Sequence, residues 1–399
     1  MLSVLVASTS FPRWEGDFRG TFVWEGCRAL AELGVRVRVV APHAASARTH
    51  EVTGGMEIFR PRYFLPERWE LLLETPGGLP VLWRERKLGR WVVFPFLLSH
   101  AAAIARLARD CDLIHAHWTL SAFAATLAAP LHRRPVVCTV QGSDVYRGLR
   151  MPLAGPLGRG ALRRARKVIA LSKSLADAAA AQGIDPRKTA IIPHGVNAQV
   201  FSPNGAPREP VVLFAGSLIE RKGVRTLIQA MALLRRRHPE SRLEIIGDGP
   251  QRRELSQLAA RSGLSDHVRF SGSLPPSEVA RRMRRCELFV LPSREEGQGV
   301  AMLEALASGT PCVASNVGGI PEILSPEWGA LVPPEDPQAL ASAMQEILGR
   351  PDRGRAMGKA AASAVRGRYD WPVITRRVLA VYGEVLPAED SQVGISKQV

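Results

Sequence analysis

Two carboxylates stand eight residues apart in the stretch EEGQGVAMLEALASGTPCVA, residues 295–314, where Glu296 lies among glycines and Glu304 in an apolar run. Gly297 and Gly299 are poor helix residues, whereas AMLEALAS is a run of helix formers closed by Gly309 and Pro311, so Glu296 belongs to a loop and Glu304 to the helix that follows. The start of such a helix carries unpaired N–H groups and a partial positive charge, and glycines let an anion approach the backbone. Phosphate fits this description. Two acids beside it would repel it unless they point elsewhere, and the hydroxyls of an attached sugar are suitable donors to them. Taken alone, the stretch also fits an ordinary helix with one exposed glutamate and one capping acid.

These residues need a scaffold, and apolar strand-like runs alternate with helical patterns along the chain. SVLVAS, VRVRVVAP, DLIHAH, PVVCTVQG and KVIALS mark the first half; after about residue 205 the rhythm restarts with PVVLFAGSL, RLEIIGDGP, VRFSG, LFVLPS and PCVAS. Strict alternation predicts parallel sheets with right-handed crossovers. Its recurrence predicts an α/β chain of two Rossmann-like, doubly wound parallel-sheet domains facing a cleft, with ligands at the carboxyl ends of the strands. FSPNGAPREP, residues 201–210, interrupts the periodicity and marks the join, giving domains of 1–203 and 204–368. The polar tail 388–399 is expected to be disordered.

A chain of 399 residues exceeds what one core usually serves, and its 46% hydrophobic and 23% charged residues are those of an ordinary globular protein. The run WVVFPFLLSHAAAIA from Trp91 contains Pro95 and His100 and soon meets Arg106, so no membrane span of about 18 apolar residues is expected. MLSVLVASTSFPRW has no basic leader and runs straight into a first strand, so no secretory signal is expected and the chain is assigned to the cytoplasm. Five scattered cysteines, with no CxxC pair, are expected to be reduced and buried. Residues 1–195 hold 27 Lys and Arg against 15 Asp and Glu, which places +12 of the net +16 in the first half. Such a surface attracts nucleic acid, anionic lipid or a phosphorylated acceptor, although Arg-rich genome composition gives the same excess. No Walker loop and no GxGxxG follows the first strand. Asp110-Cys111-Asp112 imitates a DxD metal motif, but it sits at a helix-to-strand turn and is not taken as a metal site.

Several stretches occur together in register: IHAHWTLS, TVQGSDV, ALSKSLAD, IIPHGVN, AGSLIERKGVRTLIQA, LEIIGDGPQRREL, VRFSGSLPPSEV, the opening stretch and NVGGIPEIL. They resemble glycosyltransferase family 4, retaining nucleotide-sugar transferases of the GT-B fold, in a bacterial polysaccharide-assembly type. The resemblance implies that Glu296 contacts donor-sugar hydroxyls, that Glu304 holds the ribose diol, and that Lys222 and the backbone from Gly297 through Gln298 and Gly299 to Val300 meet the diphosphate. Ser217 stands where the family often has arginine, with Arg221 as a substitute charge, and Gln298 stands where phenylalanine is common. Gly272 is carried over as a further donor-binding position. In the first domain the resemblance implies a glycine loop, Gly16 and Gly20, over the donor phosphates, and His117 beside the anomeric centre, with His115 structural. Gln141 occupies a position commonly histidine, and Asp144 is expected as an acceptor-side contact or helix cap. The segment 369–387 resembles the family's helix that crosses back to the first domain.

The implied reaction transfers a sugar from a UDP- or GDP-sugar to a glycan, lipid-linked or small-molecule acceptor, with no metal and no cofactor, since the nucleotide-sugar is a substrate. The same fold also serves nucleotide-sugar 2-epimerases, and paired acids serve glycoside hydrolases, which need no nucleotide. A nucleic-acid binder would show a recognition helix, an RNA-stacking motif or a zinc site, and none is present. The stretch 83–98, WRERKLGRWVVFPFLL, sets Arg84, Arg86, Lys87 and Arg90 beside aromatic residues. It is expected either to pack as a buried helix or to hold the enzyme peripherally on an anionic membrane face.

Overall fold

The structure, a computed structural model, describes residues 1–70, 72, 89–152 and 154–387. It divides into two units, Met1–Gly195 together with the chain from Trp371, and Val196–Asp370. The strand-like runs of the sequence map onto the strands of both, and the predicted α/β class with two parallel sheets is observed.

In the first unit, β1 (Ser3–Ser8), β2 (Arg36–Val40), β3 (His50–Thr53), β4 (Met56–Phe59), β5 (Leu113–His117), β6 (Val136–Val140), β7 (Lys167–Ala170) and β8 (Thr189–Ile191) form one sheet. Its order is β3-β4-β2-β1-β5-β6-β7-β8, parallel throughout except for β3 against β4. The helices between them are α1 (Thr21–Glu32), α2 (Gly89–Leu107), α3 (Trp118–His132), α4 (Ser143–Tyr146), α5 (Ala154–Arg164) and α6 (Lys173–Ala180). Every residue of β1 is buried, as expected for a central parallel strand covered on both faces. Strand order reverses between β1 and β5, where Ser8 pairs with His117, so the loop after β1 and the end of β5 lie side by side.

α2 continues through Pro95, and the expectation that no apolar stretch here reaches the length of a membrane span does not hold. By length and composition the segment Trp91–Asp110 is long and apolar enough to cross a membrane. Much of it is core all the same: Ile104 and Ala108 pack with Leu5 and Ile114 of the sheet, and Val92 and Phe96 pack with Tyr63.

The second unit holds β9 (Glu209–Ala215), β10 (Arg242–Ile246), β11 (Val268–Gly272), β12 (Cys286–Leu291), β13 (Cys312–Ser315) and β14 (Gly329–Val332). They form an all-parallel sheet in the order β11-β10-β9-β12-β13-β14. Its helices are α7 (Val224–Leu234), α8 (Arg252–Arg261), α9 (Pro276–Arg285), α10 (Val300–Ala307), α11 (Pro337–Leu348) and α12 (Pro351–Tyr369). The division between units falls at Gly195/Val196, before the proline-rich segment. Val196 N–H donates to the Tyr369 carbonyl at 2.8 Å, and both Val196 and Phe201 belong to the second core.

The last described helix, α13 (Trp371–Val385), belongs to the first unit. Trp371 lies so close to Gly26 and Gly195 that a Cβ at either would approach its ring to 3.2 and 2.6 Å. Tyr382 reaches the sheet, its hydroxyl 2.6 Å from His115 Nδ1. The tail 388–399 lies outside the described residues, as do Arg84, Arg86 and Lys87. All five cysteines are free and buried.

Candidate active site

In the second unit strand order reverses between β9 and β12, and the loops after these strands build the site. After β9 the chain makes a turn, Glu220–Lys222, closed by Gly223 in the left-handed region at φ 65°. A Cβ on Gly223 would lie 1.9 Å from the Pro292 carbonyl oxygen, so only glycine lets this turn touch the end of β12. Arg294 N–H donates to the Arg221 carbonyl at 2.7 Å and ties the two loops again. The result is an ion pair between Lys222 Nζ and the Glu296 carboxylate, which also accepts the hydroxyl of buried Ser293 at 3.3 Å.

The loop after β13 packs on the backbone of Glu296. Gly318, at φ 55°, leaves room where a Cβ would lie 1.8 Å from the Glu296 carbonyl oxygen, and Gly319 N–H donates to that oxygen at 3.3 Å. Burial pushes the Glu296 carboxyl up, but the charges of Lys222 and Arg221 and the hydrogen bonds from Lys222 and Ser293 outweigh it and hold the group below the usual carboxylate range. Gly297, Gln298 and Gly299 are buried beside it. Gly299 caps α10 in the left-handed conformation and, having no side chain, offers no acceptor to the helix's first N–H groups from Val300 on. Glu304 lies half-buried one turn in. Ser217 is half-buried after β9, and Gly272 ends β11, its carbonyl accepting Gly247 N–H at 2.7 Å.

In the first unit the site residues are joined by neutral hydrogen bonds. His117 ends β5, and Gln141 Nε2 lies 3.1 Å from its Nδ1. Gln141 Oε1 lies 2.6 Å from His194 Nε2. His115 stacks on His117 with ring centroids 4.5 Å apart and is held by Tyr382 at 2.6 Å and Thr139 at 2.7 Å, the structural position expected of it. Burial takes His115 and His194 down to about 3; burial first, then the charges of His115 and His194, takes His117 well below the usual histidine range. Asp144 accepts Gln141 N–H at 2.9 Å, Gly142 N–H at 3.0 Å and Thr119 N–H at 3.2 Å, so its carboxylate braces the turn after β6 against the start of α3. The loop after β1 is fixed as well. Arg13 and Asp17 form a buried ion pair at 2.8 Å, Arg60 donates to the Pro12 carbonyl at 2.7 Å, and Gly20 folds onto Ser10 where a Cβ would meet its carbonyl at 2.4 Å. Gly16 lies at the open tip of this loop.

Sequence reasoning missed Ser293, Gly318, Gly319, His194, Arg13 and Asp17. The serine three before Glu296 and the glycine pair of NVGGIPEIL were visible, but nothing in their spacing showed that they close on one carboxylate. Asp110 and Asp112 lie at the opposite end of the sheet, where Asp112 accepts Ser3 N–H at 2.7 Å and Asp110 pairs with Arg38 at 3.3 Å. Among the described residues no His, Cys, Asp and Glu side chains form a metal-binding group of three or more.

Two family profiles match the chain: Glycosyl transferases group 1 over residues 197–364 and Glycosyltransferase Family 4 over residues 20–200. The chain is 30% identical over 285 residues to a glycogen synthase of Mycobacterium tuberculosis, covering 68% of each. It is 31% identical over 298 residues to a GDP-mannose-dependent alpha-(1-6)-phosphatidylinositol monomannoside mannosyltransferase of Mycolicibacterium smegmatis, covering 68% of this chain and 76% of that one. The solved sucrose-phosphate synthase of Thermosynechococcus elongatus is similar with a TM-score of 0.80 at 25% identity, over 96% of this chain and 99% of that one. The chain belongs to glycosyltransferase family 4, enzymes of the GT-B fold that use nucleotide-sugar donors.

Gly223→Ala forces an L side chain into the left-handed region and onto a carbonyl, so it is expected to destabilise the protein by more than about 1–3 kcal/mol, the usual scale of such backbone strain alone. Gly263→Ala, at φ 69° but with open space around it, is expected to lower the unfolding midpoint less. Equal midpoints for the two variants would contradict this account of the turn.

Proposed function

We propose that the chain is a retaining, metal-independent glycosyltransferase that moves a sugar from a UDP- or GDP-sugar to a glycan, lipid-linked or small-molecule acceptor. The observation that carries this is the Lys222–Glu296 pair at the strand-order reversal, next to the uncapped start of α10. Lys222 and the α10 N–H groups suit a diphosphate; once Lys222 turns to that anion, the Glu296 carboxylate is released to accept two neighbouring sugar hydroxyls. Arg221 supplies the charge that Ser217 lacks, Glu304 takes the ribose diol, and Gly297, Gln298 and Gly299 let the phosphates approach. Gly272 completes the donor side, and Gly16 and Gly20 shape the loop over the phosphates. His117 serves the anomeric centre, with Gln141 and Asp144 on the acceptor side of the same unit. The mannosyltransferase relative, named for GDP-mannose and a phosphatidylinositol mannoside, supports a GDP-sugar and a lipid-linked acceptor; the glycogen synthase relative supports a glycan.

In the proposed step the bond from the anomeric carbon to the diphosphate oxygen breaks and a bond to the acceptor oxygen forms on the same face. The acceptor proton passes to the departing diphosphate. The protein's part is positioning and stabilisation of the leaving charge, and one oriented donor of this kind is worth about 2.7–4 kcal/mol, a hundredfold or more in rate.

Thermal unfolding with UDP, GDP and ADP tests the donor site. A nucleotide at a hundred times its dissociation constant stabilises the folded state by about 2.7 kcal/mol. One of the three is expected to raise the midpoint of the wild type, with or without a chelator, and to fail with Lys222→Ala. A response that survives Lys222→Ala would move the diphosphate elsewhere, and one abolished by the chelator would contradict metal independence.

We also propose that the enzyme works peripherally at the cytoplasmic face of a membrane. The supporting observation is the outer face of α2, where Trp91, Phe94 and Leu98 are 78%, 67% and 50% exposed at helical spacing; the basic stretch directly precedes it in sequence. Trp91→Ser with Phe94→Ser is expected to reduce sedimentation with anionic vesicles, and undiminished sedimentation would sink the idea.

A further inference from the structure

His117 is followed by a strained residue: Trp118, the first residue of α3, sits at φ 66°, a region costly for a bulky L side chain. Backbone strain of this kind persists only where its surroundings hold it, and here they do. Asp144 binds the N–H of Thr119, next to Trp118, and also that of Gln141, so the end of β5 and the turn after β6 are locked in register. That lock puts the Gln141 side-chain amide between two imidazoles, 3.1 Å from His117 Nδ1 and 2.6 Å from His194 Nε2.

The two distances assign the amide. The 2.6 Å contact suits a short N–H···O bond, with His194 Nε2–H donating to Oε1; an amide nitrogen in that place would make an N···N contact below the hydrogen-bond range. The amide NH₂ then faces His117 Nδ1. An amide nitrogen only donates, so Nδ1 must carry a lone pair, and a neutral His117 carries its proton on Nε2.

We propose that Gln141, oriented by His194, is a positioning residue that holds His117 as the Nε2–H tautomer, so that the group offered to the substrate is a hydrogen-bond donor and not a base. Among the described residues His117 Nε2 makes no hydrogen bond, which leaves that donor free for a sugar or phosphate oxygen. Burial and the neighbouring imidazoles keep the ring neutral at neutral pH. The functional half of the proposal rests on the transferase reading of His117. In that reading the acceptor proton goes to the diphosphate, so a donor beside the anomeric centre is the useful tautomer and a second base is not needed. His115 cannot exchange roles with His117, because Tyr382 and Thr139 occupy both its ring nitrogens.

The test is a long-range proton–nitrogen correlation spectrum of protein labelled at histidine nitrogen, recorded without nucleotide, with His117 assigned by the signals lost in His117→Gln. The wild type is expected to show His117 as a single neutral Nε2–H tautomer. Gln141→Glu replaces the amide with a group that only accepts, and is expected to move the proton of His117 to Nδ1. It is also expected to lower kcat about a hundredfold, the scale for one oriented donor, while KM for the sugar-nucleotide and stabilisation by the nucleoside diphosphate stay near wild type. Should that variant fail to fold, Gln141→Met removes both hydrogen bonds at similar volume and is expected to leave His117 as a mixture of tautomers. A wild-type His117 protonated on Nδ1, an Nε2–H pattern unchanged in the folded variant, or an unchanged kcat would each overturn the proposal. Since the spectra need no nucleotide, failure of the transferase reading, seen as no stabilisation by UDP, GDP or ADP, is distinguishable from failure here.

Discussion

A lysine and a glutamate withdrawn from water at the ends of two neighbouring strands constrain most of the second unit. Removing such charges from solvent costs several kcal/mol for each ion, and their attraction offsets this only when the geometry is held closely. Here it is held by backbone. The turn bearing Lys222 rests on the Pro292 carbonyl through Gly223, and the loop after β13 rests on the Glu296 carbonyl through Gly318, so three loops meet where any side chain would part them. Beneath them Leu213 of β9 and Phe289 of β12 are fully buried and in register, giving the loops a rigid floor. The strand-order reversal does the rest, because it brings the carboxyl ends of β9 and β12 side by side with no crossover helix between them.

The first unit solves a similar problem without opposite charges. The three imidazoles of its candidate site are kept neutral by burial; Gln141 bridges His117 and His194, and Thr139 and Tyr382 hold His115, in a setting where an unpaired polar group would be expensive. The last helix takes part in this: Tyr382 supplies a hydroxyl to His115, and Trp371 closes over Gly26 and Gly195 near His194. The return of the chain to the first unit therefore supports the histidines as well as completing the core.

Much of the fold was legible because parallel strands buried on both faces read as unbroken apolar runs. SVLVAS, LFVLPS and PVVLFAGSL are such runs, and each became a strand. β3 and β4 were less legible. HEVTGGMEIF forms an antiparallel pair at the sheet edge, where short strands half exposed to water carry a weak pattern. The length of the apolar run at α2 was underread for a different reason: packing of α2 on the sheet carries the helix through Pro95 despite one lost backbone hydrogen bond. In the site, Glu296 stood out by residue type among glycines before a helix, and Lys222 through the family resemblance. Ser293, Gly318 and His194 did not, since their roles arise from contacts between loops far apart in sequence. The unit boundary shows the same limit: the prolines of FSPNGAPREP mark a break in periodicity, but the boundary follows the pairing of Val196 with Asp370, which no local pattern reports.

The central claim is that Lys222 leaves Glu296 for a diphosphate while Glu296 turns to the sugar. Calorimetric binding of the nucleoside diphosphate and of its sugar-nucleotide to wild type and Glu296→Gln tests this most directly. The account predicts that Glu296→Gln binds the bare diphosphate at least as tightly as wild type, because its lysine is already free, and the sugar-nucleotide less tightly, because a carboxylate acceptor is lost. Equal weakening of both ligands, or of neither, would contradict it.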